Sequence, residues 1–216
     1  MGALIDRMGV ASVVTRSPHW LAGDERTLEH RLWSSWFRQV PRFRNAFSNI
    51  DETDDPLLYN ETASVGVLSS AASRSGLLAL AEYVTSKRGA GRGRPLRNGR
   101  CDLWVQDPVS ERSWSFEFKQ YYCRTKVRRR TLVKKLRKAC VDAHDVHSFQ
   151  ADRRFGGLLV IGHGDCEVSD GARGTIEELA GETTFACRLG GGLTPAWLLL
   201  VDVCNTDWRR HPALDA

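Results

Sequence analysis

The 216-residue chain has no long run of apolar residues. Its longest uninterrupted apolar stretch is Ala196–Val201, far short of the roughly 18 residues that a membrane-spanning helix needs. The apolar N-terminal stretch Met1–Val14 contains Asp6 and Arg7, which makes it a poor secretory signal. We therefore expect a cytoplasmic protein that neither spans a membrane nor is secreted.

Closely spaced cysteine pairs are also missing. The six cysteines include no CxxC pair of the kind that binds zinc or carries out redox chemistry. An even number of cysteines is compatible with disulfides, but a chain of this length can bury a sufficient core without them. Because no export signal is visible, we expect free thiols in a reducing compartment.

The charged residues are distributed very unevenly along the chain. The segment Lys87–Lys138 contains 17 Lys and Arg residues against four Asp and Glu residues, whereas the rest of the chain contains 14 against 22. Such an unbalanced segment repels itself unless a polyanion offsets its charge. We therefore expect nucleic acid as the partner, with an anionic surface or an acidic protein as the alternative.

The N-terminal part of the sequence predicts a helix that begins at Asp24, a capping residue, and ends at Pro41. Apolar residues recur at helical spacing between them, namely Leu28, Leu32, Trp36 and Val40. We expect residues 1–59 to form an N-terminal helical extension that packs on a core domain of residues 60–216. An exposed patch of Trp33, Trp36 and Phe37 on this helix would indicate a homodimer contact.

The remaining chain predicts an α/β protein around one mixed sheet. The predicted elements are a helix from Asn60 to Gly76, strands Leu77–Lys87, Arg100–Gln106 and Ser113–Gln120, a helix Lys126–Phe149, a strand Gly156–Gly162, a short helix Thr175–Ala180 and a strand Ala196–Val203. Gly89–Gly99 has no hydrophobic period and predicts a loop. A single helix over residues 61–87 remains an alternative to the first helix and strand.

The predicted strands on either side of turn 107–112 should form an antiparallel hairpin. In the second of them, the aromatic side chains of Trp114, Phe116 and Phe118 share one face, and Glu117 and Lys119 share the other. Charges in the middle of a buried strand need a partner, a metal or access to water. The hairpin would bring Asp102 of the first strand close to Glu117.

Two adjacent carboxylates repel each other unless a cation lies between them. Oxygen ligands such as Asp102 and Glu117 suit Mg²⁺ or Mn²⁺. A lysine beside such an ion, here Lys119, can position a water molecule and offset the charge of a pentacovalent phosphate. This combination predicts metal-assisted hydrolysis of phosphodiesters.

The run Gly99–Val105 (GRCDLWV), followed by Phe116–Gln120 (FEFKQ), resembles the signature of the PD-(D/E)xK, or restriction-endonuclease-like, phosphodiesterases. The resemblance covers about Glu61 to Ile161. It implies an αβββαβ core and a metal-dependent endonuclease that hydrolyses phosphodiester bonds in DNA. The alternative is a catalytically silent module of the same fold that binds nucleic acid or a protein. Cys101 stands in place of the family's proline, and the literal Asp107-Pro108 pair fits a turn.

The resemblance also implies roles for individual residues. Asp102 and Glu117 would bind Mg²⁺ or Mn²⁺, and Lys119 would orient the attacking water. The family often has a further glutamate on its first core helix, for which Glu61 is the candidate and Glu82 the competitor. If residues 61–82 formed one helix, these two would lie about 31 Å apart at 1.5 Å per residue, so both could not reach one site.

Two basic segments are predicted to contact the nucleic-acid backbone. Four arginines lie in the loop before the hairpin or at its start: Arg92, Arg94, Arg97 and Arg100. Six further residues lie in the first part of the helix that follows the hairpin: Lys126, Arg128, Arg129, Arg130, Lys134 and Lys135. Phosphate contacts of this kind give affinity without reading the base sequence.

Overall fold

The computed structural model describes residues 19–24, 26–51, 54–89, 95–163, 168–204 and 207–215. These residues form an α/β protein with four α-helices and one seven-stranded open sheet, which is mixed but mostly antiparallel. None of the described helices is long and apolar enough to cross a bilayer.

Seven strands, numbered in chain order, form the sheet. They are β1 (His19–Ala22), β2 (Leu78–Arg88), β3 (Leu96–Gln106), β4 (Ser113–Cys123), β5 (Arg153–Gly162), β6 (Phe185–Leu189) and β7 (Ala196–Asp202). Their order across the sheet is β1-β6-β7-β5-β4-β3-β2. The pair β4 and β5 is parallel, and the other neighbouring pairs are antiparallel.

Helices cover both faces of the sheet. On one face, α1 (His30–Ile50) and α2 (Glu61–Arg74) contribute to an apolar cluster with the aromatic side chains of β4. On the other face, α3 (Arg129–Asp145) and α4 (Asp170–Gly181) pack with apolar side chains of β5 and β7. The alternation predicted for β4 therefore holds, because its even-numbered aromatic residues face α1 and α2.

The centre of the chain confirms the predicted order of elements. Asn60 caps α2 through its side-chain oxygen, which accepts a hydrogen bond from the backbone N–H of Ala63 at 2.8 Å. Gly76 follows the helix with a φ of +79°, a conformation that glycine adopts readily. The chain then enters β2, so the alternative of one helix over 61–87 is wrong. Leu96–Gly99 was expected in a loop but belongs to β3, because β2 continues as its partner to Arg88.

Helix boundaries and two short strands differ from the sequence-based expectation. The first helix begins at His30 rather than Asp24, and it runs through Pro41 to Ile50. Proline removes one helical hydrogen bond, but buried side chains before and after Pro41 anchor both halves of α1 in the core. The third helix begins at Arg129 rather than Lys126. Strands β1 and β6 were not predicted.

The aromatic residues of α1 do not form an exposed patch. Trp33 and Trp36 are 3% and 0% exposed, and Phe37 packs against the same cluster. The exposed patch that would have indicated a homodimer contact is therefore not formed, because these side chains belong to the core, and the homodimer stays a prediction. The described cysteines are free thiols, whereas Cys166 lies outside the described residues.

One buried arginine ties α1 to the loop between β6 and β7. The side chain of Arg44 is fully buried, and its Nη2 lies 2.5 Å from Oδ2 of the equally buried Asp55. The same guanidinium donates hydrogen bonds to the backbone carbonyls of Leu189, Gly190 and Thr194 at 2.5–3.2 Å. The arginine charge is thus neutralised and most of its donors are satisfied inside the protein.

Candidate active site

The strands β3 and β4 separate in the middle of the sheet. Their ladder runs only from Gln106 opposite Ser113 to Leu103 opposite Phe116. Beyond that point β3 stays paired with β2, and β4 stays paired with β5. The backbone N–H groups on the side of β4 that β3 has left must find other acceptors, because unpaired backbone groups are costly to bury.

We call the gap that opens between β3 and β4 beyond Leu103 and Phe116 the fork. Carboxylates occupy it. Asp102, the first residue past the ladder, accepts a hydrogen bond from the N–H of Phe118 at 2.6 Å. Glu61, the first residue of α2, accepts one from the N–H of Gln120 at 2.8 Å. Both acidic side chains thereby substitute for a strand partner. The geometry brings the acid of the predicted first core helix to the same place as the hairpin residues.

Glu117 is the most deeply buried acid of the fork, with 3% of its surface exposed. Its Oε1 lies 2.5 Å from Nζ of Lys87, which reaches it from the far end of β2. Burial raises the pKa of Glu117 to about 7, and the charge of Asp102 acts in the same direction, while Lys87 opposes both. Two carboxylates on one face of the sheet thus disfavour each other's charge.

Asp102 is also affected by its surroundings. Burial raises the pKa of Asp102, and the charges of Glu61 and Glu82 add to this effect. The hydrogen bond from Phe118 and the charge of Lys119 work against it. The site is therefore rich in negative charge that its own lysines only partly offset.

Lys119 lies among these acids. Its Nζ donates a hydrogen bond to the backbone carbonyl of Phe118 at 2.5 Å, and it lies 3.5 Å from Oε1 of Glu61. A further carboxylate, Asp142 of α3, lies 3.7 Å away. Burial lowers the pKa of Lys119, but the surrounding carboxylates outweigh this and raise it above its ordinary value. The side chain is therefore a fixed ammonium.

Glu82 also approaches the fork. The β2–β3 ladder passes from Ala81 opposite Leu103 to Tyr83 opposite Cys101, which places Glu82 across from Asp102. Its φ of 53° is unusual for a residue with a side chain. The chain reverses its direction after α2, so Glu61 and Glu82 both lie near the site. The separation of about 31 Å expected for a single helix over residues 61–82 therefore does not apply. Glu61 contacts Lys119 directly, whereas Glu82 pairs with Arg100 at 3.4 Å.

Sequence reasoning missed Lys87 and Asp142. Lys87 stands at the end of a strand, and only the register of β2 against β3 carries it to Glu117. Asp142 follows Lys138 by four residues, and the two form an ion pair at 2.6 Å. The four-residue spacing indicates that Asp142 lies on a polar stripe of α3. The local sequence does not show, however, that this stripe faces Lys119.

The Asp107-Pro108 pair is confirmed as turn chemistry. Asp107 accepts hydrogen bonds from the N–H of Val109 at 2.9 Å and from the hydroxyl of Ser110 at 3.1 Å. It also forms an ion pair with Arg31 of α1. These contacts occupy the carboxylate away from the fork.

The donor set of the fork fits a hard divalent cation. Within the described part of the chain, no three His, Cys, Asp or Glu side chains lie close enough together to hold a metal ion. Mg²⁺, however, is often bound through one or two carboxylates, with water and substrate oxygens as the other ligands. Asp102 and Glu117 supply two carboxylates whose mutual repulsion a cation would relieve.

The basic residues that were predicted to contact nucleic acid differ in how exposed their side chains are. Arg92 and Arg94 lie outside the described residues. The exposed members of the set are Arg97, Arg100, Lys126, Arg128, Arg130 and Lys134. Arg129 instead donates to Glu182 at 2.6 Å, and Lys135 is half-buried. Fewer basic residues are thus exposed and unpaired on α3 than its sequence suggests.

Comparison with protein-family models, with curated proteins and with solved structures gives no match to this chain.

The raised pKa of Glu117 predicts a pH dependence of stability in metal-free protein. The folded state keeps a proton on Glu117 up to about pH 7, whereas the unfolded chain releases it near 4.5. The retained proton therefore contributes to the free energy of unfolding. Its contribution is complete below the pKa of Glu117 in the unfolded chain, and it is lost as the pH rises through the pKa in the folded protein. Relative to Glu117→Gln, the wild type should lose up to about 3 kcal/mol of unfolding free energy between pH 4.5 and 8.

Urea unfolding of both proteins in EDTA, at several pH values, measures this difference. The exposed Glu178 of α4 offers a matched control, because Glu178→Gln should follow the wild-type pH curve. A difference between wild type and Glu117→Gln that stays constant with pH would contradict the prediction.

Proposed function

We propose that this protein is a metal-dependent phosphodiesterase of the PD-(D/E)xK type that cuts DNA. The observation that carries the proposal is the fork, where Asp102, Glu117 and Lys119 face α3 and their charges act on one another. The order α2-β2-β3-β4-α3-β5 is the αβββαβ order that the sequence resemblance implies. Glu61 lies at the start of the first helix of this series.

The residues of the fork divide into two groups. Asp102 and Glu117 would hold Mg²⁺ or Mn²⁺, and the bound ion would supply Lewis-acid stabilisation of phosphate charge. Lys119 would orient the attacking water and offset the charge that develops on the phosphate. Glu61 and Asp142 contact the ammonium of Lys119 from two sides and fix its position.

The basic surface supports nucleic acid as the substrate. Exposed cations at the start of α3, among them Arg128, Arg130 and Lys134, have no acidic partner within 4 Å among the described residues. Such side chains bind phosphates without reading the bases. The choice of DNA rests on the resemblance to DNA-cutting enzymes.

A cleavage assay tests the proposal directly. Linear, circular and single-stranded DNA are incubated with the wild type in Mg²⁺, in Mn²⁺ and in EDTA. Cleavage in either metal, and none in EDTA, is the expected result. Cutting of circular DNA identifies an endonuclease. Cleavage that persists in EDTA would contradict a role for a divalent cation.

A second candidate function is binding of nucleic acid without cutting. The observation that favours it is the ion pair of Lys87 with Glu117, because this ammonium already neutralises a carboxylate that the metal requires. If no metal and no form of DNA or RNA supports cleavage, while binding falls steeply with salt, this candidate replaces the first. Binding to an acidic protein instead of nucleic acid would indicate an interaction module.

A further inference from the structure

A second charged feature lies at the C-terminal end of α3, away from the carboxylates of the fork. A pocket of about 260 Å³ is lined by the guanidinium-bearing residues Arg88, Arg97 and Arg209, together with His144, Asp145 and Trp208. Three cations and one carboxylate thus surround a space larger than a phosphate group. The pocket belongs to three separate parts of the chain, which the fold brings together.

The three arginines keep their charges available. Within the described residues, Arg88, Arg97 and Arg209 take part in no ion pair, since none of their guanidinium nitrogens lies within 4 Å of a carboxylate oxygen. Arg209 is held over the ring of Trp208 at 5.1 Å, a contact that orients its guanidinium without neutralising it. Clustered guanidinium groups without acidic partners are typical of sites for phosphate.

His144 and Trp208, which also line the pocket, are consistent with an anion bound there. Burial lowers the pKa of His144, and the charges of Arg154, Arg88 and Arg209 lower it further, against a hydrogen bond with the backbone of Val203. Trp208 is 3% exposed, and its Nε1 is a buried donor without a hydrogen-bond partner among the described residues. Buried donors of this kind are normally satisfied by a protein, water or ligand oxygen.

The pocket is linked to the fork through two elements. In β2, Lys87 reaches Glu117, and the next residue, Arg88, lines the pocket. In α3, Asp142 contacts Lys119, and its neighbour Val141 lines the pocket. A ligand that extends over α3 from the fork can therefore reach the pocket.

We propose that this pocket binds a phosphate group. If the proposed function holds, on which this part of the inference rests, the phosphate belongs to the nucleic-acid strand whose neighbouring phosphodiester lies at the fork. A free phosphate or phosphomonoester has the same chemistry and is the other source. Arg88 and Arg209 then extend the nucleic-acid contacts beyond those that the sequence indicated.

The test uses the double variant Arg88→Gln/Arg209→Gln. The matched control is Arg38→Gln/Arg42→Gln, which removes the same charge from exposed positions of α1. In the first arm, inorganic phosphate is titrated while the NMR signals of the Trp208 indole and the His144 ring are followed. The wild type and the control should show saturable shifts, and the pocket variant should show none.

In the second arm, binding of a labelled DNA duplex is measured in EDTA over a range of salt concentrations. Loss of the contact with one phosphate should reduce the slope of log K against log salt by about 0.9, and weaken binding by about an order of magnitude near 0.1 M salt. The control should keep most of the wild-type slope. A reduced slope confined to the pocket variant assigns the phosphate to the bound strand.

The outcomes separate the pocket from the proposed function. Loss of the phosphate response with an unchanged slope supports the pocket and makes a free phosphate its ligand. A wild type that binds phosphate there but never cleaves DNA keeps the pocket and removes the enzyme. The inference is overturned if phosphate shifts neither signal in the wild type and the slope of the pocket variant equals that of the control.

Discussion

Lys119→Ala should reduce cleavage at least a hundredfold while DNA affinity stays close to that of the wild type. The substitution removes the ammonium that would orient water and offset charge on the phosphate, an effect typically worth about 10²–10³ in rate. It removes only one of the 17 Lys and Arg residues of Lys87–Lys138, so electrostatic binding should barely change. Single-turnover cleavage and fluorescence anisotropy measure the two effects.

Two further variants define this result. Lys119→Arg should not restore the rate fully, because a planar guanidinium does not replace a compact ammonium held between Glu61 and Asp142. Arg38→Ala removes one positive charge from the exposed face of α1 and should leave the rate unchanged. Cleavage by Lys119→Ala within tenfold of the wild-type rate would contradict the role assigned to Lys119.

Arg44→Met should lower the free energy of unfolding by about 3–5 kcal/mol, because it leaves Asp55 buried without its partner. The carbonyls of Leu189, Gly190 and Thr194 lose their donor at the same time. Unfolding in urea, followed by circular dichroism and tryptophan fluorescence, measures the loss. The basic surface of α3 lies on the face of the sheet opposite α1, so the folded fraction of the variant should still bind DNA.

The chain provides a control two residues away. Arg42 lies on the same helix but is exposed, so Arg42→Met should change stability by less than about 0.5 kcal/mol. The double variant Arg44→Met/Asp55→Leu should recover part of the loss, because no unpaired charge then remains buried. Equal stability of Arg44→Met and Arg42→Met would show that the buried pair does not hold α1.

Local sequence patterns predicted much of the fold because they describe local structure. Alternation in Ser113–Gln120 predicted that the aromatic residues share one face and that Glu117 and Lys119 share the other. In the structure the aromatic residues pack with α1 and α2, and Lys119 lies near Asp142 of α3. Turn chemistry placed β3 and β4 in one hairpin. The short strands β1 and β6 were missed because a few residues at a sheet edge, or between glycines and threonines, carry too little periodicity.

The sequence by itself determined the elements of the core, the uneven charge and the acids that the hairpin would bring together. Only the tertiary structure decided that Lys87 and Asp142 complete the fork, that Arg44 is buried, and that three distant arginines share one pocket. These contacts depend on the register of β2 against β3 and on how α1 and α3 dock on the sheet. Such non-local relations arise from packing of whole elements, and no periodicity within one segment encodes them.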